Sequence, residues 1–589
     1  MIKLLKNMRR RETVMAILCI VLIVGQVYFD LRLPDYMTEL TTLIKTEGGT
    51  SEILTVGLKM LGNTAISALL AVACGFLAAK TASGFSFTVR EKLFCHVMDI
   101  GCEEMQEVSV ASLITRTTND ITQVQMLIAM GLQMIIKAPI MAVWAIVKIL
   151  GKSWELSVVT AAFVAVLCTT VLLIMATCIP RFRLVQKTTD RINRVARENL
   201  TGINVVHAFN AENYQNEKFD FPSRRMLSLQ MKNQKLFAVV QPTMTLGMNG
   251  LALAIYWIGA ALVNAIPVAE ATTRLSMFSE VLVFSTYATY IVMSFMMLVM
   301  IYMMFPQAQV SAERICEVLD KDPSVKEGVL SDGVEVGTVE FKNVSFRYPT
   351  GGDDVLTDIS FKADKGETVA IIGATGSGKS SLVGLIPRFY DATEGEVLVD
   401  GVNVKELSFD ALYSKLGYVT QKAVLFSGSV KDNIFFGEKE GRTESDLDLA
   451  VELSQSKEFL DKYPEGTDHQ IAQMGRNVSG GQKQRLSIAR AIAGKPEILI
   501  FDDSFSALDY RTDAKLREGL SKKLEGTTKI IVAQRISTIR HADKIIVLDR
   551  GEAVGIGTHE ELMQNCGVYR EIASSQLSAE ELAMGGESK

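Results

Sequence analysis

Long apolar runs constrain this chain more than any other feature. Six stretches, at about 13–33, 57–83, 125–150, 156–179, 238–263 and 278–305, are apolar enough to cross a bilayer, and a crossing takes ~20 mainly apolar residues. A segment in hydrocarbon has to satisfy its own backbone hydrogen bonds, so each run reads as a helix. The first follows Lys3, Lys6, Arg9, Arg10 and Arg11. No small-residue cleavage site follows it, so it reads as a span with a basic cytosolic flank rather than a leader.

The segments between the runs alternate in character. Asp35–Glu52, Gly151–Glu155 and Asn264–Arg274 are short or poor in bases, and are expected outside. Arg90–Arg116 and Arg181–Lys235 are long, basic and helical in pattern, and are expected in the cytosol as helices that continue out of the membrane. An even number of spans then leaves both termini inside. Within these inner segments, Ser109–Gln125 and Arg197–Phe219 combine polar caps with short apolar faces. They read either as docking elements or as solvated helix.

Composition changes after the last run. Residues 1–310 read as the membrane domain. A linker at 311–336 holds Pro323, Gly328 and Gly333 among charges, 337–580 alternates strands and helices around a largely parallel core, and 581–589 is a tail. The fold class is thus a six-helix membrane domain followed by an α/β domain. The net charge of −5 is slightly negative, so nothing in it suggests nucleic acid as a partner. The eight cysteines are scattered without ligand spacing, and Cys19, Cys74, Cys168 and Cys178 lie in apolar stretches, as buried reduced thiols do.

Three motifs carry chemistry. Gly373-Ala-Thr375-Gly376-Ser377-Gly378-Lys379-Ser380 follows the apolar strand Val369–Ile372 and precedes a helix beginning at Ser380-Ser381. Its glycines let backbone N–H groups wrap phosphates, Lys379 neutralises phosphate oxygens, and Ser380 can ligate Mg²⁺. Ile498–Asp502 is an apolar strand ending in a carboxylate, where a P-loop enzyme holds Mg²⁺, although a lone strand-end acid also caps helices. Ser479-Gly480-Gly481-Gln482 opens a basic helix and offers N–H groups to phosphate.

The order of these motifs, with Gln421 between them and "SALD" after them, resembles the ATPase domain of ABC transporters. With six spans ahead, nearly the whole chain is similar to a half-size exporter of the multidrug type with a type IV membrane domain. The resemblance implies ATP and Mg²⁺ as cofactors. It gives Tyr348 an adenine-stacking role, against the alternative of a core tyrosine at a strand end. It makes Ser380, Gln421 and Asp502 the Mg²⁺ group and turns Ser479, Gly480, Gly481 and Gln482 toward nucleotide on an opposing subunit. Ser506–Asp509 would cross the dimer interface. Segments near Ser112–Thr117 and Gly202–Asn210 would be the coupling helices.

The chain departs from the family where hydrolysis occurs. Asp503 stands where a Glu polarises the attacking water, and its carboxylate is set one methylene back. A displacement of ~1 Å costs roughly a hundredfold in rate. Gln534 stands where a His touches the γ-phosphate; Gln hydrogen-bonds but carries no charge. Gln473 replaces a Glu upstream of the signature turn. Asp503, Gln534 and Gln421 are the catalytic candidates of a weakened site. The expectation is a heterodimer with a second, non-identical half-transporter carrying the Glu and the His, in a lipid membrane. Drift, or a slow homodimer, is the alternative.

The expected cargo is a small amphipathic compound. Met293, Met296, Met297, Met300, Met303 and Met304 crowd the sixth span, as in adaptable binding surfaces, although packing or lipid contact explains them equally. Lys137, inside the third span, is expected to line a cavity or pair with an acid on the partner. Lipid or peptide export and a non-hydrolysing regulatory subunit are the rival readings. No protease-like segment precedes the first span, which disfavours a peptidase-containing exporter, and importers usually divide these two parts between chains.

Overall fold

The computed structural model describes residues 1–45, 49–150, 152–268, 270–331, 333, 335–349, 351–437 and 441–576. The tail read at 581–589 lies outside the described residues, as do Gly151 and the side chains of Cys178 and Met303. The chain divides into two compact units. One comprises Met1–Val97 and Val110–Asp320, and the other comprises Met98–Ser109 and the residues from Lys321 onward.

Among the described residues, the first unit contains six helices long and apolar enough to cross a membrane: Arg10–Ile44, Thr50–Asp99, Val110–Leu150, Trp154–Ile174, Glu212–Ala265 and Thr272–Leu319. Helix Thr50–Asp99 has 50 residues and helix Glu212–Ala265 has 54. At 1.5 Å per residue each is over twice the ~30 Å of hydrocarbon, so the polar inner segments are continuations of the spans. Ile23, Val27, Leu31, Met141, Ala145, Ile255, Phe284 and Tyr287 form the centre of the apolar core. Lipid solvates apolar faces as well as protein does, so close backbone approach has to hold such helices together. A Cβ on Gly247 would lie 2.6 Å from Leu167, and one on Gly259 would lie 2.5 Å from Val281. These glycines bring the fifth helix against the fourth and the sixth.

Polar side chains join the same helices. Lys137 Nζ lies 3.1 Å from Asp30 Oδ2 on the first helix, and the Ser67 hydroxyl donates to the other oxygen of that carboxylate. Lys148 pairs with Asp35 at 2.8 Å, and Tyr287 donates to Asp35 at 2.8 Å. Lys137 thus has its acid on its own chain, not on a partner. The sulfurs of Cys19 and Cys74 are 3.2 Å apart between the first two helices.

Two readings of the inner segments change. Ser112–Thr117 is not a free-standing coupling helix. It continues through a π-helical turn, Arg116–Asp120, into the third span. Its polar groups anchor it to the extension of the sixth helix: Arg116 donates to the Arg314 carbonyl at 2.9 Å and pairs with Glu317 at 2.9 Å, and Ser311 donates to Asp120 at 2.7 Å. The separate short helix in this segment is Cys102–Glu107, which belongs to the second unit. The other expected segment, Gly202–Asn210, does contain a short helix, Ile203–Ala208. The sixth helix also runs on to Leu319, into the stretch read as linker. Ala308, Ala312, Ile315 and Val318 are all buried there, at a spacing that keeps one helical face apolar.

The second unit contains strands β1 (Val339–Phe346), β2 (Leu356–Ala363), β3 (Thr368–Gly373), β4 (Glu394–Val399), β5 (Val402–Asn403), β6 (Leu416–Val419), β7 (Ile498–Asp502), β8 (Thr528–Val532), β9 (Lys544–Asp549) and β10 (Glu552–Gly557). One antiparallel sheet has the order β2-β1-β4-β5. The larger sheet has the order β10-β9-β3-β8-β7-β6, parallel throughout except for β10. Its central strands read as continuous apolar runs because both faces are buried, one against helices and the other against the antiparallel sheet and the helix that starts at Lys379. Helix Cys102–Glu107 is tied to the start of this unit: the Ser324 N–H donates to Glu104 Oε1 at 2.7 Å, and Glu107 pairs with Lys321.

Candidate nucleotide site

Strand register assembles the site. Ile371 of β3 pairs with Val532 of β8, which pairs with Asp502 of β7, and Val419 of β6 pairs with the adjacent Phe501. The four strands end at nearly one level, and ligands of parallel sheets bind beyond such carboxyl ends. Residues just past the ends therefore converge: Gly373–Ser381 after β3, Gln421 after β6, Asp503 after β7 and Gln534 after β8.

The P-loop turns on Gly376 and Gly378, at φ +84° and +96°. A Cβ on Gly378 would also meet Val355 O at 2.9 Å and Leu356 Cδ2 at 2.8 Å, so glycine is required twice over. Lys379 folds back to donate to the carbonyls of Gly373 and Ala374 at 2.8 and 2.7 Å, and to Ser377 at 3.4 Å. Burial pushes its ammonium below the ordinary lysine value, against the opposing pull of Asp503 and Asp502. Thr375 is exposed at the tip of the loop, and Ser377 is buried beneath it. Tyr348 is half-buried, with its hydroxyl 2.9 Å from Ser381 and its ring edge-on to Phe346 and Tyr390. That places the aromatic beside the helix that starts at Lys379.

Ser380 donates to Asp502 Oδ1 at 2.8 Å. Burial raises the Asp502 carboxyl above the usual range, with Ser380 lowering it and the Asp503 charge raising it further. A buried carboxylate beside a hydroxyl is the oxygen donor set that suits Mg²⁺. Tyr418 also reaches Asp502, at 3.5 Å, and burial raises its phenol, so it stays a donor. Sequence reasoning missed Tyr418, although it precedes Gln421 in the same short strand-to-loop segment.

Two of the residues that depart from the family pattern, Asp503 and Gln534, touch one another. Gln534 Nε2 donates to Asp503 Oδ2 at 2.7 Å, and Gln421 Nε2 donates to the same oxygen at 3.4 Å. Asp503 is nearly buried and sits at φ +49°, a left-handed conformation that Asp tolerates better than most residues. Gln421 does not touch Asp502 directly, so a metal role for it would need the ion between them. The backbone around Gln534 is held by Gln576, from the last described helix.

The signature turn stands apart. Ser479 caps helix Gly480–Ala493 by accepting from Gln482 N–H at 3.4 Å, and Gln482 Oε1 accepts the Ser479 N–H at 2.8 Å. Gln482 therefore shapes the turn, while Ser479 and Gly480 are exposed. Among the described residues no hydrogen bond or ion pair joins this turn to the P-loop.

Residues 15–295 match the family described as ABC transporter transmembrane region, and 356–506 match the one described as ABC transporter. An uncharacterized ABC transporter ATP-binding protein of Mycobacterium tuberculosis is 36% identical over 557 residues, spanning 93% of this chain and 94% of its own length. The chain belongs to the ABC transporter family. It is a half-size ABC exporter and a multi-pass membrane protein. The uncharacterized ABC transporter ATP-binding protein YfiB of Bacillus subtilis is 36% identical to this exporter, over 89% of this chain and 90% of its own. An ATP-dependent lipid A-core flippase of Pseudomonas aeruginosa is 30% identical, over 85% and 82%. The exporter's fold is that of a bacterial Atm1-family ABC exporter solved with ATP bound, with a TM-score of 0.78 over 97% of this chain and 98% of that one, at 24% identity.

An ABC ATPase domain binds ATP, typically with Mg²⁺, and the residues here fit both. The P-loop N–H groups and Lys379 would hold the phosphates, and Ser380 with Asp502 would hold the ion. Mg²⁺ when bound would neutralise charge on the phosphate oxygens.

Proposed function

We propose that this chain is the weak-site half of a heterodimeric exporter that moves small amphipathic molecules across the membrane. The carrying observation is the group Asp503, Gln534 and Gln421. A short carboxylate fills the catalytic position, and both nearby donors are neutral amides directed at one of its oxygens. A carboxylate so engaged polarises water poorly, and Gln534 brings no charge of its own to meet what develops on the phosphate. The P-loop and Asp502 are intact, so binding is retained while hydrolysis is slow.

The intact signature turn would complete the partner's site, where the main hydrolysis would occur. Surfaces exposed in the single chain support a second subunit. Val205 and Phe209, in and beside helix Ile203–Ala208, are 60% and 79% exposed. Apolar cargo fits a cavity of about 470 Å³ among the fourth, fifth and sixth helices, lined by Leu167, Met244, Val292, Phe295 and Tyr302. Among the described residues, Met293, Met296, Met297, Met300 and Met304 are not part of its lining, and Met293 and Met300 are exposed elsewhere on the sixth helix. Lipid is the second reading, favoured by the relatives named lipid A-core flippases and by this apolar lining.

The test is purification of a tagged copy from its native membrane, with mass spectrometry of stoichiometric partners and ATPase assay. The expected result is a distinct half-transporter with Glu and His at the matching positions. Recovery of an active homodimer would overturn the proposal. Vesicle assays with a fluorescent amphipath and with labelled lipid separate the two cargoes.

A further inference from the structure

The last described helix, Gly567–Gln576, packs Tyr569 and Ala573 into the core cluster that also contains Ile536 and Ile539. The Tyr569 hydroxyl lies 2.7 Å from His559 Nδ1, which fixes the helix along its axis. Gln576 follows Ala573 by three residues, so it projects from nearly the same face. It arrives at the segment after β8. There its carboxamide makes two bonds of opposite sense. Nε2 donates to the Gln534 carbonyl at 2.8 Å, and Oε1 accepts the Ile536 N–H at 2.8 Å. Gln534 in turn donates to Asp503 at 2.7 Å.

We propose that Gln576 is a positioning residue for Gln534, an inference that rests on the reading of Asp503 and Gln534 as the hydrolytic end of this site. It holds the peptide on which the Gln534 side chain is mounted, and so aims that amide at Asp503. The assignment depends on side-chain chemistry. Gln576 is exposed and gives both of its polar atoms to one backbone segment. Both a donor and an acceptor are needed at this reach; Glu lacks the donor and Asn is one methylene short. The apolar anchoring of the helix is done by Tyr569 and Ala573, so replacing Gln576 leaves that packing in place.

The test uses the full-length transporter, with whatever subunits co-purify, in nanodiscs. Turnover and nucleotide retention at this site are taken as the parts that Lys379→Ala abolishes. Gln576→Ala is expected to lower that kcat about fivefold, one hydrogen bond's worth, with the KM for ATP and the melting temperature unchanged. Gln576→Glu, which keeps only the acceptor, is expected to fall between. In a Gln534→Ala background Gln576→Ala is expected to add nothing, because the two act as one unit. Equal losses in both backgrounds, a loss tracked by melting temperature, or no loss beside an impaired Gln534→Ala would each overturn the inference alone. If Gln534→Ala and Asp503→Asn change neither turnover nor nucleotide retention, the reading of the site falls, and this inference falls with it.

Discussion

Lengthening Asp503 by one methylene is the most informative change to make. The Asp503 oxygen that receives Gln534 is 2.7 Å from its donor, and Gln421 is 3.4 Å away. A further carbon–carbon bond of about 1.5 Å carries the carboxylate past both amides. The longer side chain is expected to carry its free oxygen toward the phosphate side, where the attacking water would stand. Recovering ~1 Å of reach is worth about a hundredfold in rate, or roughly 2.7 kcal/mol of barrier. Gln534 still lacks a charge, so a gain of about tenfold to a hundredfold is expected for Asp503→Glu alone. The backbone opposes the change. At φ +49° a Glu is less at home than an Asp, and the fold loses about 1 kcal/mol. The signature is therefore a faster, slightly less stable transporter. The assay is steady-state ATPase in nanodiscs, with the Lys379→Ala rate subtracted to isolate this P-loop, beside a melting curve. An unchanged or slower rate with ATP still bound would refute the argument that reach limits this site.

Gly378→Ala should abolish ATP binding at this P-loop, because its Cβ meets Val355 O at 2.9 Å in a left-handed turn; equilibrium binding of a fluorescent ATP analogue checks it. Asp30→Asn should strand Lys137 and cost about 3 kcal/mol or somewhat less, with partial recovery in Asp30→Asn/Lys137→Gln, read from thermal unfolding in detergent. Lys495 and the Thr443 N–H hold the Asp446 carboxyl down at about 2. Its folded value lies below the unfolded one, so the stabilisation is complete above about pH 4 and is lost as pH falls toward about 2. Asp446→Asn should therefore narrow the gap to the parent across that window in acid-unfolding curves, and a constant gap would contradict the assignment.

The phosphate end of the site was legible because its residues are neighbours in sequence. A strand, a glycine turn and Lys379-Ser380 announce themselves in one short segment, and Asp502 ends an unmistakable apolar strand. The spans were legible for the same reason: twenty apolar residues need no partner to be recognised. What escaped were pairings across long sequence separations. Lys137 was noticed, but Asp30, in a different span, carries no local signal that it is the counter-ion. Gln576 lies in an ordinary amphipathic helix, and only the packing of Tyr569 and Ala573 delivers it to the loop after β8. The first docking segment was misplaced because polar caps and short apolar faces occur both in Cys102–Glu107 and in the stretch after it. The anchoring of Arg116 and Asp120 to the sixth helix decides between them.

The amide of Gln534 has a consequence for the cell in which the exporter works. A histidine at this position would gain and lose a proton between about pH 5 and about pH 8, and its grip on a phosphate would follow the acidity of its surroundings. An amide does neither. Its hydrogen bond to Asp503 is donated by a group that stays neutral throughout that range. Gln534 itself therefore adds no acid response to transport.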